Sequence, residues 1–477
     1  MVCAGTTLAP ACAQQAPVPD GAATTAVTTA STTDSGGQLV APLDPSALRQ
    51  RIIERFGTPP RVPDGPLDAD TIAALDTVFA DGLRGGLRDG RWGEAQSRAL
   101  ERIAGSNDPR LAWLLADTMR ISSSGALNAS LAAAADALLG TTLPTGNPWG
   151  ETVDHLIAWD VPAPPGYLDY KRRVYTLIEP AWQPLFVPGD IDWRHVSWGG
   201  VRIDDRAYDT TDEACNCIPA ADNPAAGPAT DADWLDDDAI VFGLDIGGEQ
   251  RAYPRRIMEV REMVNDTLGG RDVGIPYCTL CGSAQAYFTD RLPEGVERPV
   301  LRTSGLLIRS NKVMYDLITR SVFDTFRGTA VTGALAERGV RLEQAGVVTT
   351  TWGAWKAEHP GTTVLLESLA LGRDFDFRNG RDADGPIFPI GDVDPRLPVQ
   401  EDVVGLISAS GTPIAFQREP ALAALRAGEP VEFENVRLVL EGDGLRAVDE
   451  AGEDLGGHQA FWFAWSQFHP GTVLWAP

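Results

Sequence analysis

The sequence predicts an α+β fold: an N-terminal small helical (HEAT-like) domain followed by a β-rich domain containing an internal duplication. Three observations carry that expectation. Between Pro45 and Leu143 apolar residues recur at three- and four-residue spacing. After Tyr208 this gives way to short alternating runs punctuated by Gly, Pro and Asp. Two C-terminal segments, "TTWGAWKAEHPGTTVLLES" and "AFWFAWSQFHPGTVLWAP", share Trp-x-x-Trp-x-x-x-His-Pro-Gly-Thr.

Taken in order, "MVCAGTTLAPACAQQ" places Ala11-Cys12-Ala13 before Gln14, the small-x-small form of a signal-peptidase site, so residues 1–13 are expected to be the remnant of a signal peptide. Residues 14–42 are Ala, Thr, Ser, Gly and Pro with few large apolar groups, and are expected to form a disordered linker. The helical domain is assigned to 43–146. "DPSALRQRIIERFG" opens on Asp-Pro and closes on Gly57, and "EAQSRALERIAGSNDPRLAWLLADTMR" reads as two helices broken by Gly-Ser-Asn-Asp-Pro.

Residues 147–207 form an aromatic-rich connecting segment, whose rings, with His155 and His195, are expected to pack between domains; this region or the helical domain is where a protein partner would dock. Residues 208–477 form the duplicated α+β domain. "DDAIVFGLDIGGEQRAYP" reads as a hairpin turning at Gly247-Gly248. "RRIMEVREMVNDTLGG" reads as a helical segment stopped by Gly269-Gly270, before a strand that runs into Cys278. In each repeat the paired Trp (Trp352/Trp355, Trp462/Trp465) and the His (His359, His469) fall on one helix face, placing them toward that unit's core.

The chain is 477 residues with 66 Asp and Glu against 40 Lys and Arg, a formal charge of -26 that repels phosphate backbones and argues against nucleic acid as a partner. No apolar run reaches the ~18 residues of a transmembrane helix. The sequence contains no Gly-x-Ser-x-Gly, His-Glu-x-x-His, phosphate loop or dinucleotide fingerprint. A periplasmic or secreted location follows from the signal-like start, and the four cysteines left after cleavage, Cys215, Cys217, Cys278 and Cys281, are then free to form disulfides.

"VFGLDIGGEQRAYPRRIMEVREMVNDTLGGRDVGIPYCTLCGSAQAYF", "TSGLLIRSNKVMYDLITRSVFDTFRGTAVTG" and "TTWGAWKAEHPGTTVL" resemble the bacterial, mostly exported family known as domain of unknown function 3179, from about Cys217 to Trp475. The motifs are Arg251-Ala252-Tyr253-Pro254, Val264-Asn265-Asp266, Tyr277-Cys278-x-x-Cys281-Gly282-Ser283, Ser304-Gly305-Leu306 and Met314-Tyr315-Asp316. The resemblance implies export and brings no assigned reaction. This chain carries Arg261-Glu262 where the family usually has His-Glu, so a scheme that needs a histidine there loses it.

Chemistry centres on the Cys-x-x-Cys turn of Cys278 and Cys281. "GSAQAYFTD" after Cys281 alternates like a strand, which removes the helix N-terminus that a thioredoxin-type dithiol uses to lower its thiol pKa. A metal site suits a strand-turn-strand. Zinc would take four ligands, with Cys215 and Cys217 available, whereas a softer ion such as copper would accept two or three thiolates with Met314 as a thioether partner. The competing reading is a binding or scaffold protein in which Cys217 joins Cys278 or Cys281 in a structural disulfide; that loop of about 60 residues would contribute roughly 4 kcal/mol. Arg251, Tyr253, Asn265, Asp266, Ser304 and Asp316 are expected at strand ends or turns, either lining a cleft beside the cysteines or serving as hydrogen-bonded turn residues.

Overall fold

The computed structural model describes residues 37–210, 215–367 and 386–477. The expected signal remnant and most of the expected linker lie outside these residues. Gln38–Val40, at the end of that linker, is a strand pairing with Val473–Ala476. Pairing there covers an otherwise open sheet edge, which satisfies backbone groups whatever the side chains are.

Helix starts follow the polar residues that precede them. Asp44, Asp68, Ser124 and Asn147 each accept backbone N–H groups two or three residues on, opening Pro45–Phe56, Ala69–Leu75, Gly125–Leu139 and Pro148–Ala158. The expected break at Gly105 to Pro109 separates Glu94–Ala104 from Ala112–Ile121. Ala112–Ile121 is buried on almost every side, and its Asp117 accepts from Lys171 Nζ at 2.6 Å, Tyr167 Oη at 2.8 Å and Tyr175 Oη at 3.1 Å. Helical packing continues through the aromatic-rich segment, as Pro148–Ala158 and Tyr167–Thr176. Trp182, Phe186 and Trp193 join that same core, which extends to Leu306, Val313 and Tyr315 of the β-rich region. No helix among the described residues is long and apolar enough to cross a membrane.

The duplication appears as two five-stranded sheets with one topology. The first runs Val348–Thr351, Ile240–Ile246, Glu249–Pro254, Thr363–Leu365, Ala226–Pro228, and the second runs His458–Phe461, Asp402–Ile407, Pro413–Gln417, Val473–Ala476, Gln38–Val40. In both, successive pairings are antiparallel, antiparallel, parallel and antiparallel. The repeated motif builds the same corner twice. Trp355 Nε1 donates to Thr362 Oγ1 and Trp465 Nε1 to Thr472 Oγ1, each at 2.9 Å. A Cβ at Gly243 would collide with the Trp355 indole, and one at Gly405 with that of Trp465, so each tryptophan lies flat on a strand that must be bare there.

Between the two halves of the first unit sits an insert that carries the cysteines. The helix there is only Arg255–Arg261, and Met263–Leu268 is a strand, which corrects the helical reading of "RRIMEVREMVNDTLGG". Glu262 turns the chain with a left-handed φ of 49°, and Gly269-Gly270 is a hairpin turn joining Met263–Leu268 to Arg271–Cys278. A second hairpin, Leu301–Ile308 with Asn311–Asp316, turns at Arg309 and Ser310, both left-handed at φ 45° and 74°.

The helical domain grips the segment leading into the second unit. Asp154 Oδ1 accepts the N–H groups of Ile390 at 2.9 Å and Gly391 at 2.8 Å, and Asp392 pairs with Arg51 and Arg55 at 2.9 and 3.0 Å. Burial pushes the Asp154 carboxyl up to about 6, against the pull of those two N–H groups and Arg55 and with a small push from Glu151. A folded pKa above the ~3.9 of an unfolded Asp means that this group favours the fold in acid and that the benefit is lost as pH rises through about 6. Denaturant unfolding across pH 4 to 8 is expected to show Asp154→Asn gaining on the parent chain as pH rises, by on the order of 2 kcal/mol; a constant difference across that range would contradict the assignment.

Candidate functional site

Cys278 ends the strand Arg271–Cys278, Cys281 closes the turn through its N–H to the Cys278 carbonyl at 3.2 Å, and Gly282 continues it with a φ of 60°. The next strand, Ser283–Ala284, pairs back with Cys278 opposite Ser283. No helix follows Cys281, as the alternation in "GSAQAYFTD" predicts.

Both thiols are free and buried, Cys278 at 4% and Cys281 at 0% exposure. The Ser310 carbonyl, at the tip of the second hairpin, accepts from Cys278 Sγ at 3.8 Å and from Cys281 Sγ at 3.4 Å. From the other side the Phe461 N–H donates to the Cys281 carbonyl at 2.9 Å, and both cysteines pack with Phe326, Phe461, Trp462 and Trp465. The turn therefore sits between the insert and the second sheet.

Charge is supplied beside it by Lys312, one of three lysines in the chain. Its ammonium donates to the Tyr277 carbonyl at 3.0 Å and pairs with Glu262 Oε2 at 3.0 Å, and Glu262 Oε1 accepts from Thr279 Oγ1 at 3.2 Å. Burial alone raises the Cys278 pKa, and Glu262 adds to that. The Cys281 thiol hydrogen bond, the Lys312 charge and the Lys312 backbone N–H outweigh both and leave it below the ordinary thiol value. Cys281 goes the other way, raised by burial and by Cys278. The first proton is thus lost from Cys278, and the single S–H of Cys281 then turns from the Ser310 carbonyl to the Cys278 sulfur.

Cys215 and Cys217 are bonded to each other, with Cα atoms 5.2 Å apart. The expected bridge from Cys217 to Cys278 or Cys281 is thus not the one formed. Closing three residues is worth only about 1.6 kcal/mol in the chain-entropy model, so this bond is no long-range staple. Asp204 lies against the two sulfurs, the one cluster of three or more His, Cys, Asp or Glu ligand atoms among the described residues. Its oxygens already accept from Arg206 Nε at 2.7 Å, Arg206 Nη2 at 2.9 Å and the Ala220 N–H at 2.8 Å. With the sulfurs joined to each other, this group has no thiolate to offer an ion.

Met314 does not reach the thiols: it packs with Met263, Tyr287, Leu301 and Phe323 in a separate cluster. Nor do the other polar residues share one cleft. Arg251 and Tyr253 meet Asp266 Oδ2, each at 2.7 Å. Asn265 Nδ2 instead donates to Asp222 Oδ1 at 2.9 Å and to the Leu301 carbonyl at 3.0 Å, because neighbouring strand residues face opposite sides. Ser304 donates to the Val313 carbonyl, and Asp316 caps the turn at Thr319. Asp266 pairs with Val273, five residues and roughly 16 Å along the strand from Cys278. The duplicated histidines do not converge on an ion either. His359 Nε2 lies 3.0 Å from Glu441 Oε1, whereas His469 stands 4.4 Å from Trp465, ring to ring.

Sequence reasoning missed Glu262, Ser310 and Lys312 as neighbours of the thiols. The rarity of lysine in an arginine-rich chain was the available signal for Lys312; Ser310 depends on a hairpin about 30 residues downstream folding back, and Glu262 on the strand pairing that begins just after it, neither of which spacing encodes.

A free buried dithiol on a strand turn, set into a duplicated β-rich unit, defines the class of site. The chain belongs to the family described as Protein of unknown function (DUF3179), whose profile matches residues 215–453. No curated protein matches the chain, and no solved structure does.

If the Cys281 thiol and Lys312 hold the Cys278 thiolate, Cys281→Ala and Lys312→Met each move the thiolate titration of Cys278 to higher pH. Ultraviolet thiolate absorbance against pH reads this directly, and a midpoint unmoved in both variants would contradict the assignment.

Proposed function

We propose that this is an exported protein whose Cys278 and Cys281 form a thiolate-centred site that holds a thiophilic metal ion of the copper or zinc class. The observation that carries the reading is the pair of free thiols facing one carbonyl, at 3.8 and 3.4 Å, in a turn whose Cys281 thiol and Lys312 hold the Cys278 pKa below the ordinary thiol value. Thiolates are the ligands such ions take most strongly, and loading releases the thiol protons.

Burial favours an ion over thiol–disulfide exchange with another protein. Exchange requires a partner sulfur to approach in line, and Cys278 is 4% and Cys281 0% exposed. A bare ion needs far less opening of the structure. The Cys215–Cys217 bond supports an oxidising compartment, hence a periplasmic or secreted location.

Reduced protein presented with zinc or copper(I) in competition with a chromophoric chelator is expected to take up the metal. Cys278→Ser/Cys281→Ser is expected to abolish that uptake while the helical and sheet content is kept. Absence of uptake by the parent chain, with both thiols shown to be free once the protein is unfolded, would overturn the proposal.

A further inference from the structure

We infer that the site is completed by the side-chain oxygens of Ser283 and Asn311 and therefore selects a divalent ion of the zinc class over monovalent copper; the inference rests on Cys278 and Cys281 being metal ligands. Two independent observations lead there, one of polar atoms and one of charge.

The polar atoms belong to the strand that pairs with Cys278 and to the hairpin tip that faces the sulfurs. Ser283 lies directly across the strand pair from Cys278, so the two side chains share a face. It is 1% exposed, and its Oγ has no hydrogen-bonding partner among the described residues. Asn311 is 0% exposed, and neither its Oδ1 nor its Nδ2 has a partner there. It closes the second hairpin opposite Ile308, whose side chain packs in the cluster that holds both cysteines. Ser310, between the two, is 1% exposed with its Oγ likewise unpartnered. Buried polar side chains are nearly always satisfied, so unpartnered atoms on the strand partner of Cys278 and on the hairpin tip whose carbonyl faces both sulfurs point to something that binds them.

Charge then chooses the ion. Two thiolates carry two negative charges, and the nearest cation, Lys312, is already cancelled by Glu262 at 3.0 Å. A monovalent ion would leave one negative charge uncompensated in a buried pocket; a divalent ion leaves none. Loading exchanges two thiol protons for one M²⁺, forming two metal–sulfur bonds and releasing two protons. No His, Cys, Asp or Glu among the described residues makes a third member with these sulfurs, so the remaining positions of a four-coordinate ion fall to neutral oxygen donors.

The test compares zinc and copper(I), each competed against a chromophoric chelator, on the full chain and on Asn311→Leu and Ser283→Ala. Replacing an unpartnered buried amide by an apolar group of similar size leaves the metal-free fold at least as stable, and a thermal melt without metal checks that. The expected result is preferential zinc uptake, weakened about tenfold or more in either variant, with copper(I) binding moved less. Zinc binding that depends on the cysteines but is unchanged in both variants would overturn the oxygen half and leave the dithiol reading standing. Copper(I) uptake without zinc would overturn the choice of a divalent ion, again leaving that reading. Uptake of neither metal would remove both.

Discussion

The turn from Cys278 to Cys281 is clamped between two backbone groups, the Ser310 carbonyl that faces both sulfurs and the Phe461 N–H that holds the Cys281 carbonyl. One belongs to the inserted hairpin and the other to the second repeated sheet, so the sulfur positions are fixed only when both units are in place. Two left-handed non-glycine residues, Arg309 and Ser310, form the hairpin tip. Such backbone is held only where surrounding structure insists on it, and it recurs where a site must be kept in shape. The tip is tied further to the aromatic-rich segment through Arg309, whose Nε donates to His195 Nδ1 at 3.2 Å.

Duplication explains why the clamp exists. Each repeat lays a tryptophan across a bare glycine and locks it to a threonine seven residues on, which gives two rigid sheets of the same design. The first is interrupted by the long insert carrying the thiols, and the second by a smaller three-stranded sheet. Most of the insert packs on its own first sheet, whereas its cysteine turn packs against the other copy, with Phe461, Trp462 and Trp465. The second copy of the repeated sheet thus supplies one wall of the cysteine turn that the first copy carries.

Much of this architecture was legible in local sequence because local physics decides it. Asp44-Pro45 marks a helix start and Gly-Ser-Asn-Asp-Pro a helix break, Gly247-Gly248 marks a hairpin, and Trp-x-x-Trp-x-x-x-His-Pro-Gly-Thr marks a unit used twice. Legibility ended where partners are distant. Arg255 to Leu268 carries a helical apolar pattern, yet Glu262 breaks it and strand pairing with Arg271–Cys278 claims the rest. Gln38–Val40 looks like linker and becomes a strand because an edge is open to it. The cysteine turn was recognisable, while its neighbours Glu262, Ser310 and Lys312 were not, since nothing in their own segments announces a sulfur. The disulfide was misassigned for a related reason: a loop-length argument favours distant cysteines, whereas Cys215 and Cys217 were simply the pair that the chain brings together.

Everything rests on which sulfurs are joined and which are free. Protein isolated without reductant, alkylated while folded and after unfolding, then digested and mapped by mass, answers this in one experiment. The expected map has Cys215 linked to Cys217, with Cys278 and Cys281 unlinked and alkylated only after unfolding. A peptide linking Cys217 to Cys278 or Cys281 would make the turn a staple and contradict the reading.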